Sequence, residues 1–467
     1  MWAWRASALA ALVAASIGYA IVHVPFDVSD NVSTLITIDG TTVERLFTST
    51  GTMAGFMRPA GWFTAKLVAD ASGGDYFAGF KAFNIITVLL LMLGGVRLLH
   101  VRSSLGFGVA ALTLAVMMGI HTFHDSLRET PLNGHVFVPL WLVGAVLLAD
   151  SRPRRWKDVV VLALAIYAML FVELGLLLPV CLVVGYAVGL RGISRGAVIA
   201  SCGLVGVYLY ARFFYLHVGA PGFVERSSGF GLGTLDPPEL AAKFGGNALP
   251  FYAYNVVASA MDILFSEPRA GVFVFVRELV AGALTSGTML NVVTSLATTG
   301  VIAWFAAVRW RAWLAGDFEH ADQIILIAGA VIAANAFISF SYTKDVTVNT
   351  GAVFYALAAG IAVQSLMIRV AGRRLPVLGT AALVVLLMVI SVGWTVRAAT
   401  FYLDMRASAY AHQNNWVMVY EWLERERIPL RDDRERDLVR RLRAQMLAMT
   451  TPRGYLGPAW LGDLDPH

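Results

Sequence analysis

"DVVVLALAIYAMLFVELGLLLPVCLVVGYAVGL", residues 158–190, is the stretch on which the layout of this chain turns. It is too long for one ordinary membrane pass of roughly 20 residues and short for two. Charge parity decides between them. With two short passes, the basic clusters Arg152/Arg154/Arg155/Lys157, Arg191/Arg195, Arg309/Arg311 and Arg369/Arg373/Arg374 share one side with Arg5 and Arg102. With one pass, the last three clusters move to the side opposite the first. Positive charge collects on the cytoplasmic side, so the stretch reads as two short passes with Glu173 at the far tip. Short passes are tolerable when neighbouring helices cover them.

The rest of the chain is read outward from that hairpin. Of its 467 residues, 58% are hydrophobic and 14% charged, too little polar surface for a soluble domain of this length. Apolar runs of spanning length recur, and they lack period-2 alternation, which favours helices over a barrel. The expected architecture is an all-α polytopic bundle of about eleven transmembrane helices. They fall near 5–24, 81–99, 105–122, 134–150, 158–172, 174–190, 194–215, 288–308, 322–341, 351–368 and 375–396. This gives a transmembrane domain over 1–396, with long outer loops at 25–80 and 216–287, and a charge-rich outer tail over 397–467 that reads as a helix pair. Two outer pieces, "TVERLFTSTGTMAGF" and "AYNVVASAMDILFS", read as amphipathic segments lying along the interface.

Several readings close off alternatives. The net charge of +5 is spread over short inter-helix clusters, so nucleic acid is not an expected partner. Cys181 and Cys202 sit inside apolar runs and read as packing residues. The N-terminal run lacks a small-residue cleavage site before Pro25, so a retained first helix is expected. There is no internal repeat, low-complexity linker or glycine-rich phosphate loop.

The outer face carries the candidate chemistry. "VHVPFDVSDNVSTL" puts Asp27 and Asp30 within a few residues of the end of the first helix, where a carboxylate is costly. Asp39, Glu44, Asp70 and Asp75 read instead as a solvated face. "HTFHDSLRETPLNGH" supplies His121, His124, Asp125 and His135. His121 and His124 have the i, i+3 spacing of metal ligands but no third ligand nearby in sequence, and His121 reads equally as a hydrogen-bonded helix-end residue. Carboxylates beside Arg and Lys suit base catalysis on a hydroxyl with a phosphate leaving group, or a proton relay in a transporter.

The order of these pieces resembles the GT-C superfamily of integral-membrane glycosyltransferases, in the branch of protein O-mannosyltransferase-like enzymes. The likeness runs over residues 20–365. It rests on "FDVSDN" after the first helix, "GFMRPAGWFTAKL", "GGDYFAGFKAFNIITVLLLML", "GIHTFHDSLRE", the short turn "FVELGLLLP", and "YTKDVTVNTGAVFYALAAGIAV". Val172 stands where the family often has lysine, and Lys344–Asp345 where Glu-Arg is usual.

The resemblance implies a polyprenyl-phosphate-linked sugar donor used on the extracytoplasmic face, with inverting transfer to a glycan, lipid or protein acceptor. It implies Asp30 or Asp27 as general base, Arg58 and Lys344 at the donor phosphate, and His121, His124, Asp125 and Glu173 positioning sugar or acceptor. A divalent cation at the carboxylates is compatible with the spacing and not required by it. The expected location is a bilayer, the bacterial inner membrane. Two rival readings remain: a transporter or lipid flippase, against which stand the missing repeat and the one-sided long loops, and a non-catalytic scaffold of the same fold.

Overall fold

The computed structural model describes residues 1–46, 52–53, 56–120, 123, 126–127, 134–219, 226–229, 231–265, 272–371, 376–425 and 430–449. The protein is an all-α, multi-pass membrane protein. Seven described helices are long and apolar enough to cross a bilayer, and four more apolar helices run 10–17 residues.

In chain order the principal helices are α1 (Trp2–His23), α2 (Ser29–Asp39), α3 (Pro59–Ala71), α4 (Tyr76–Leu98), α5 (Ser104–Gly119), α6 (Phe137–Ala149), α7 (Arg155–Phe171), α8 (Leu177–Ala187), α9 (Arg195–Tyr210), α10 (Leu249–Phe265), α11 (Ser286–Leu314), α12 (His320–Ile338), α13 (Asn349–Ala371), α14 (Val377–Glu424) and α15 (Asp433–Met449). Two antiparallel strand pairs, Thr52–Met53 with Phe56–Met57 and Ser227–Gly229 with Gly233–Leu235, lie in the loops.

The centre of the bundle is α13. Every residue from Asn349 to Val363 is buried, as expected of a helix that is apolar all round. It packs on α12, α5 and α11, while α14 covers α5 and α11. Small residues permit close approach. A Cβ on Gly360 of α13 would lie 2.1 Å from Thr113 Oγ1 of α5, so the two backbones meet through a missing side chain.

The 158–190 stretch breaks into α7 and α8, separated by a single 3-10 turn at Glu173–Leu176. Asp158 Oδ1 accepts from the Ser194 amide at 2.8 Å, so the two ends of the stretch return to one level of the bundle. At that end, Gly192 N–H donates to Ala149 O at 2.7 Å and Gln323 Nε2 to Val188 O at 3.0 Å. The basic loops of the sequence reading therefore converge.

The structure departs from the sequence reading in two places. The boundary drawn at 397 falls inside α14, which runs unbroken for 48 residues. Arg397 does not end the helix because it is buried at mid-helix. It donates to Gly119 O (3.3 Å), Asn291 O (3.2 Å) and Ser295 Oγ (2.9 Å) and lies over the Trp394 ring. The second departure is the face that "AYNVVASAMDILFS" buries. The segment belongs to α10, packed against α12 and α11. Its buried face is the polar one, with Asn255, Ser259 and Asp262, while Val257 is 62% exposed. Asn255 Nδ2 donates to Ser228 O and Phe340 O, both at 2.9 Å, and Ser259 bonds Thr343 at 2.8 Å. These bonds engage the Asn255 amide and the Ser259 hydroxyl and hold α10 inward.

A second core forms beyond the bundle, between loop one and the far half of α14. Phe26, Val32, Leu35, Ile38, Trp62, Phe77 and Phe80 meet Trp416, Val419 and Leu423 of α14 and Leu438, Val439, Leu442 and Met446 of α15. The i, i+3, i+4, i+7 spacings of these residues make one apolar stripe per helix. Trp416 Nε1 donates to Phe26 O at 2.7 Å. Asp39, read from sequence as solvated, pairs with Arg434 at 3.0 Å and accepts from Tyr76 at 2.8 Å.

Candidate functional site

At the end of the bundle opposite the basic loops lies a cavity of about 330 Å³. Most of its wall is apolar: Val172, Leu174, Leu176, Leu209, Phe213, Phe337, Ile338 and Phe340. One wall is charged, built from Arg58, Glu173 and Arg212, with His135 and Tyr208 beside them.

Each of these residues sits where a local feature of the sequence puts it. Arg58 occupies the N-cap position of α3, held there by Pro59 at the first helical residue. Glu173 opens the 3-10 turn of "VELGLLL". Gly175 is required in that turn, because a Cβ there would fall 2.1 Å from the Ala168 carbonyl carbon and oxygen. Arg212 projects from a π-helical turn, Ala211–Tyr215, that ends α9. A π turn re-aims a side chain relative to the α-helix before it. The 340–344 segment is held by Ser228, whose amide donates to Ser341 O at 3.3 Å and whose carbonyl accepts from Thr343 N at 3.1 Å.

Glu173 is the hub. It accepts from Arg58 Nε (3.1 Å) and Nη2 (2.8 Å) on one carboxylate oxygen and from Arg212 Nη1 (3.1 Å) on the other. Arg212 is almost wholly buried, with its side chain 4% exposed. It also donates to Tyr208 Oη at 2.8 Å and to Gly219 O at 3.1 and 3.2 Å. Two guanidiniums on one carboxylate leave a net positive charge on this wall. The exposed Lys344, whose Nζ lies 5.3 Å from the Tyr342 ring centroid, adds to it. His135 reports that field. Burial first, then Arg58 and Lys344, lower its pKa from 6.5 to about 3, so the imidazole is neutral. A mostly apolar chamber with one electropositive wall can hold an anionic head group and an apolar tail together.

Of the residues singled out from sequence, Arg58 and Glu173 meet directly, and Lys344 stands within electrostatic reach of His135. Asp27 is elsewhere. It does not line the cavity, its side chain is 43% exposed, and its Oδ1 lies 3.7 Å from His412 Nδ1. Asp30 is the second residue of α2, and its side chain lies outside the described residues, as do His121, His124 and Asp125.

Two members of the wall were not selected from sequence. His135 carries no signal of a role in the sequence beyond its place among the outer polar residues. Arg212 was absorbed into the end of a helix, although an arginine within the apolar, aromatic run "YLYARFFYL" is itself a signal for function.

No protein-family model matches the chain, and neither a curated protein nor a solved structure matches it.

Proposed function

We propose that the protein is a glycosyltransferase of the GT-C type, with eleven membrane passes and its cavity on the extracytoplasmic face of a bacterial inner membrane. Its donor is a sugar carried on a polyprenyl phosphate. The observation that carries this reading is the pairing of Arg58 and Arg212 on Glu173 at the edge of an apolar cavity. An isoprenoid phosphate offers the complementary pair, a hydrocarbon tail and a dense anion. The family's lysine, absent at Val172, has its charge supplied here by Arg212 from another helix.

In the proposed reaction an acceptor hydroxyl attacks the anomeric carbon. The bond from that carbon to the phosphate oxygen breaks, and its electron pair leaves with the polyprenyl phosphate. The hydroxyl proton passes to a loop-one carboxylate, and because Asp27 does not line the cavity the reading favours Asp30 of the two. Arg58, Arg212 and Lys344 stabilise the charge that grows on the leaving phosphate.

The test is to incubate the reconstituted protein with a panel of labelled polyprenyl-phosphate sugars and to look for transfer. Transfer with one donor, reduced about 10- to 100-fold in Arg212→Ala and Arg58→Ala, supports the reading, because each variant loses a charge-assisted contact worth about 1.5–3 kcal/mol. Movement of polyprenyl phosphate between leaflets without sugar transfer refutes it in favour of a flippase.

A further inference from the structure

The basic end of the bundle holds a second cluster of ligating side chains, far in the fold from the cavity. His100 follows the C-terminus of α4, Asp150 caps α6, and His320 is the first residue of α12. Their nearest approaches are His100 Nε2 to Asp150 Oδ2 at 3.0 Å and His320 Nδ1 to Asp150 Oδ1 at 3.6 Å. The two imidazoles stack, with centroids 4.0 Å apart and planes 14° from parallel, so one ring must turn about its side-chain torsions for both lone pairs to meet at one ion. One ligand atom from each of the three residues lies within 4.8 Å of the others.

The hydrogen bonding fixes what His320 can present. Its Nε2 lies 2.8 Å from the Leu98 carbonyl oxygen. A carbonyl only accepts, so Nε2 carries the proton, and in the neutral ring Nδ1 is a bare lone pair. That lone pair faces a carboxylate oxygen, which also offers only lone pairs. Either a second ring proton or a bound cation fills that gap. The Nε2–H to backbone carbonyl bond is the support that metal-ligating histidines ordinarily have on their far nitrogen.

Four ligands at about 2.0–2.1 Å in a tetrahedron lie about 3.3 Å apart; the two contacts, each to a different Asp150 oxygen, straddle that separation, and the ring nitrogens close on an ion from within 4.8 Å. His100 is placed by the end of α4. Its φ of +47° is the left-handed conformation in which helices commonly end, here at the position after the Leu99 cap of α4. Arg102 is the cation whose field opposes any added positive charge.

We propose that His100, Asp150 and His320 form a binding site for one borderline divalent transition ion, of the zinc class, with the fourth position left to water. Two imidazoles and a carboxylate suit that class and not magnesium or calcium, which prefer oxygen ligands. The ion staples the α4–α5 turn to the end of α6 and the start of α12. This site is independent of the donor cavity and of the proposed transfer.

The test uses tag-free full-length protein in detergent, stripped with EDTA and titrated with Zn²⁺ by calorimetry, and with Co²⁺ by visible absorption. The expected result is one ion per chain, micromolar or tighter, a raised thermal midpoint, and no response to Mg²⁺. His100→Ala, whose imidazole is the most exposed of the three, should fold normally and weaken binding at least tenfold. Asp150→Asn should do the same, and His121→Ala/His124→Ala should leave binding unchanged. Absence of stoichiometric binding overturns the proposal, as does binding that survives His100→Ala and Asp150→Asn or disappears in His121→Ala/His124→Ala.

Discussion

Replacing Glu173 by Gln separates the two roles that the arginine pair could have. The carboxylate accepts three charge-assisted bonds, two from Arg58 and one from Arg212. Gln keeps the shape and one acceptor oxygen, but its amide N–H group faces a guanidinium. Arg58 is 21% exposed and can turn to water, so its share is near the surface value of about 0–1 kcal/mol. Arg212 is 4% exposed and cannot, so its loss is about 1.5–3 kcal/mol. It keeps Tyr208 and Gly219 as partners and is not stranded. The expected destabilisation is about 1.5–4 kcal/mol.

Affinity for a polyprenyl phosphate should move in the opposite direction. Removing a negative charge about 6 Å from a bound phosphate, at an effective dielectric near 20, favours the phosphate by about 2–3 kcal/mol. The assay is thermal unfolding in detergent, with and without polyprenyl phosphate. Glu173→Gln should unfold earlier alone and gain more from the ligand than wild type, with binding at least tenfold tighter. Equal stability and equal affinity would refute the reasoning, and weaker binding by a folded variant would mean that the carboxylate itself touches the ligand.

Four further outcomes are expected. Asp27→Asn and Asp30→Asn should both insert and bind donor, and the one that removes the base should lose transfer by about 10²-fold, read by sugar transfer in liposomes; wild-type rates in both would end the assignment. Gly175→Ala should cost about 3 kcal/mol or more in thermal unfolding, because its Cβ meets backbone at 2.1 Å and nothing there can yield cheaply. Trp416→Ala should cost about 3–5 kcal/mol and free α15 for limited proteolysis, since Trp416 is fully buried and its indole bonds Phe26 O. The folded-state pKa of His135 lies below its unfolded value of 6.5, so its contribution to stability is complete above pH 6.5 and falls toward pH 3 by about 1.4 kcal/mol per unit; His135→Asn should flatten that part of the acid-stability curve.

The apolar runs were legible because length and composition decide a membrane helix, and the charge parity of 158–190 was legible because basic loops fall on one side. The end of the last span was not. Arg397 looks like a terminus in sequence, and only its bonds to Gly119 O and Asn291 O make it an interior residue. The facing of α10 was not legible either, since the segment reads as amphipathic but its polar face turns inward only because Asn255 serves two backbone carbonyls and Ser259 meets the Thr343 hydroxyl. At the site, Arg58 and Glu173 were each found singly. Their pairing, 115 positions apart in the chain, is a tertiary fact that no local pattern encodes. Arg212 was hidden by its apolar neighbours, and its direction is set by a π turn rather than by helical spacing.

The unbroken α14 acts as a ruler. Its 48 residues measure about 72 Å at 1.5 Å each, against roughly 30 Å of hydrocarbon. The height of the loop-one layer above the bundle is thus set by counting residues between Arg397 and Trp416, and its rotational phase by about 100° for each of them. Two residues inserted in that interval would swing the Trp416 stripe about 200° away from Phe26 and detach the layer. Four would bring it round to within about 40° but leave it about 6 Å too high, so the pitch of one helix gauges the distance between the membrane and everything that loop one carries.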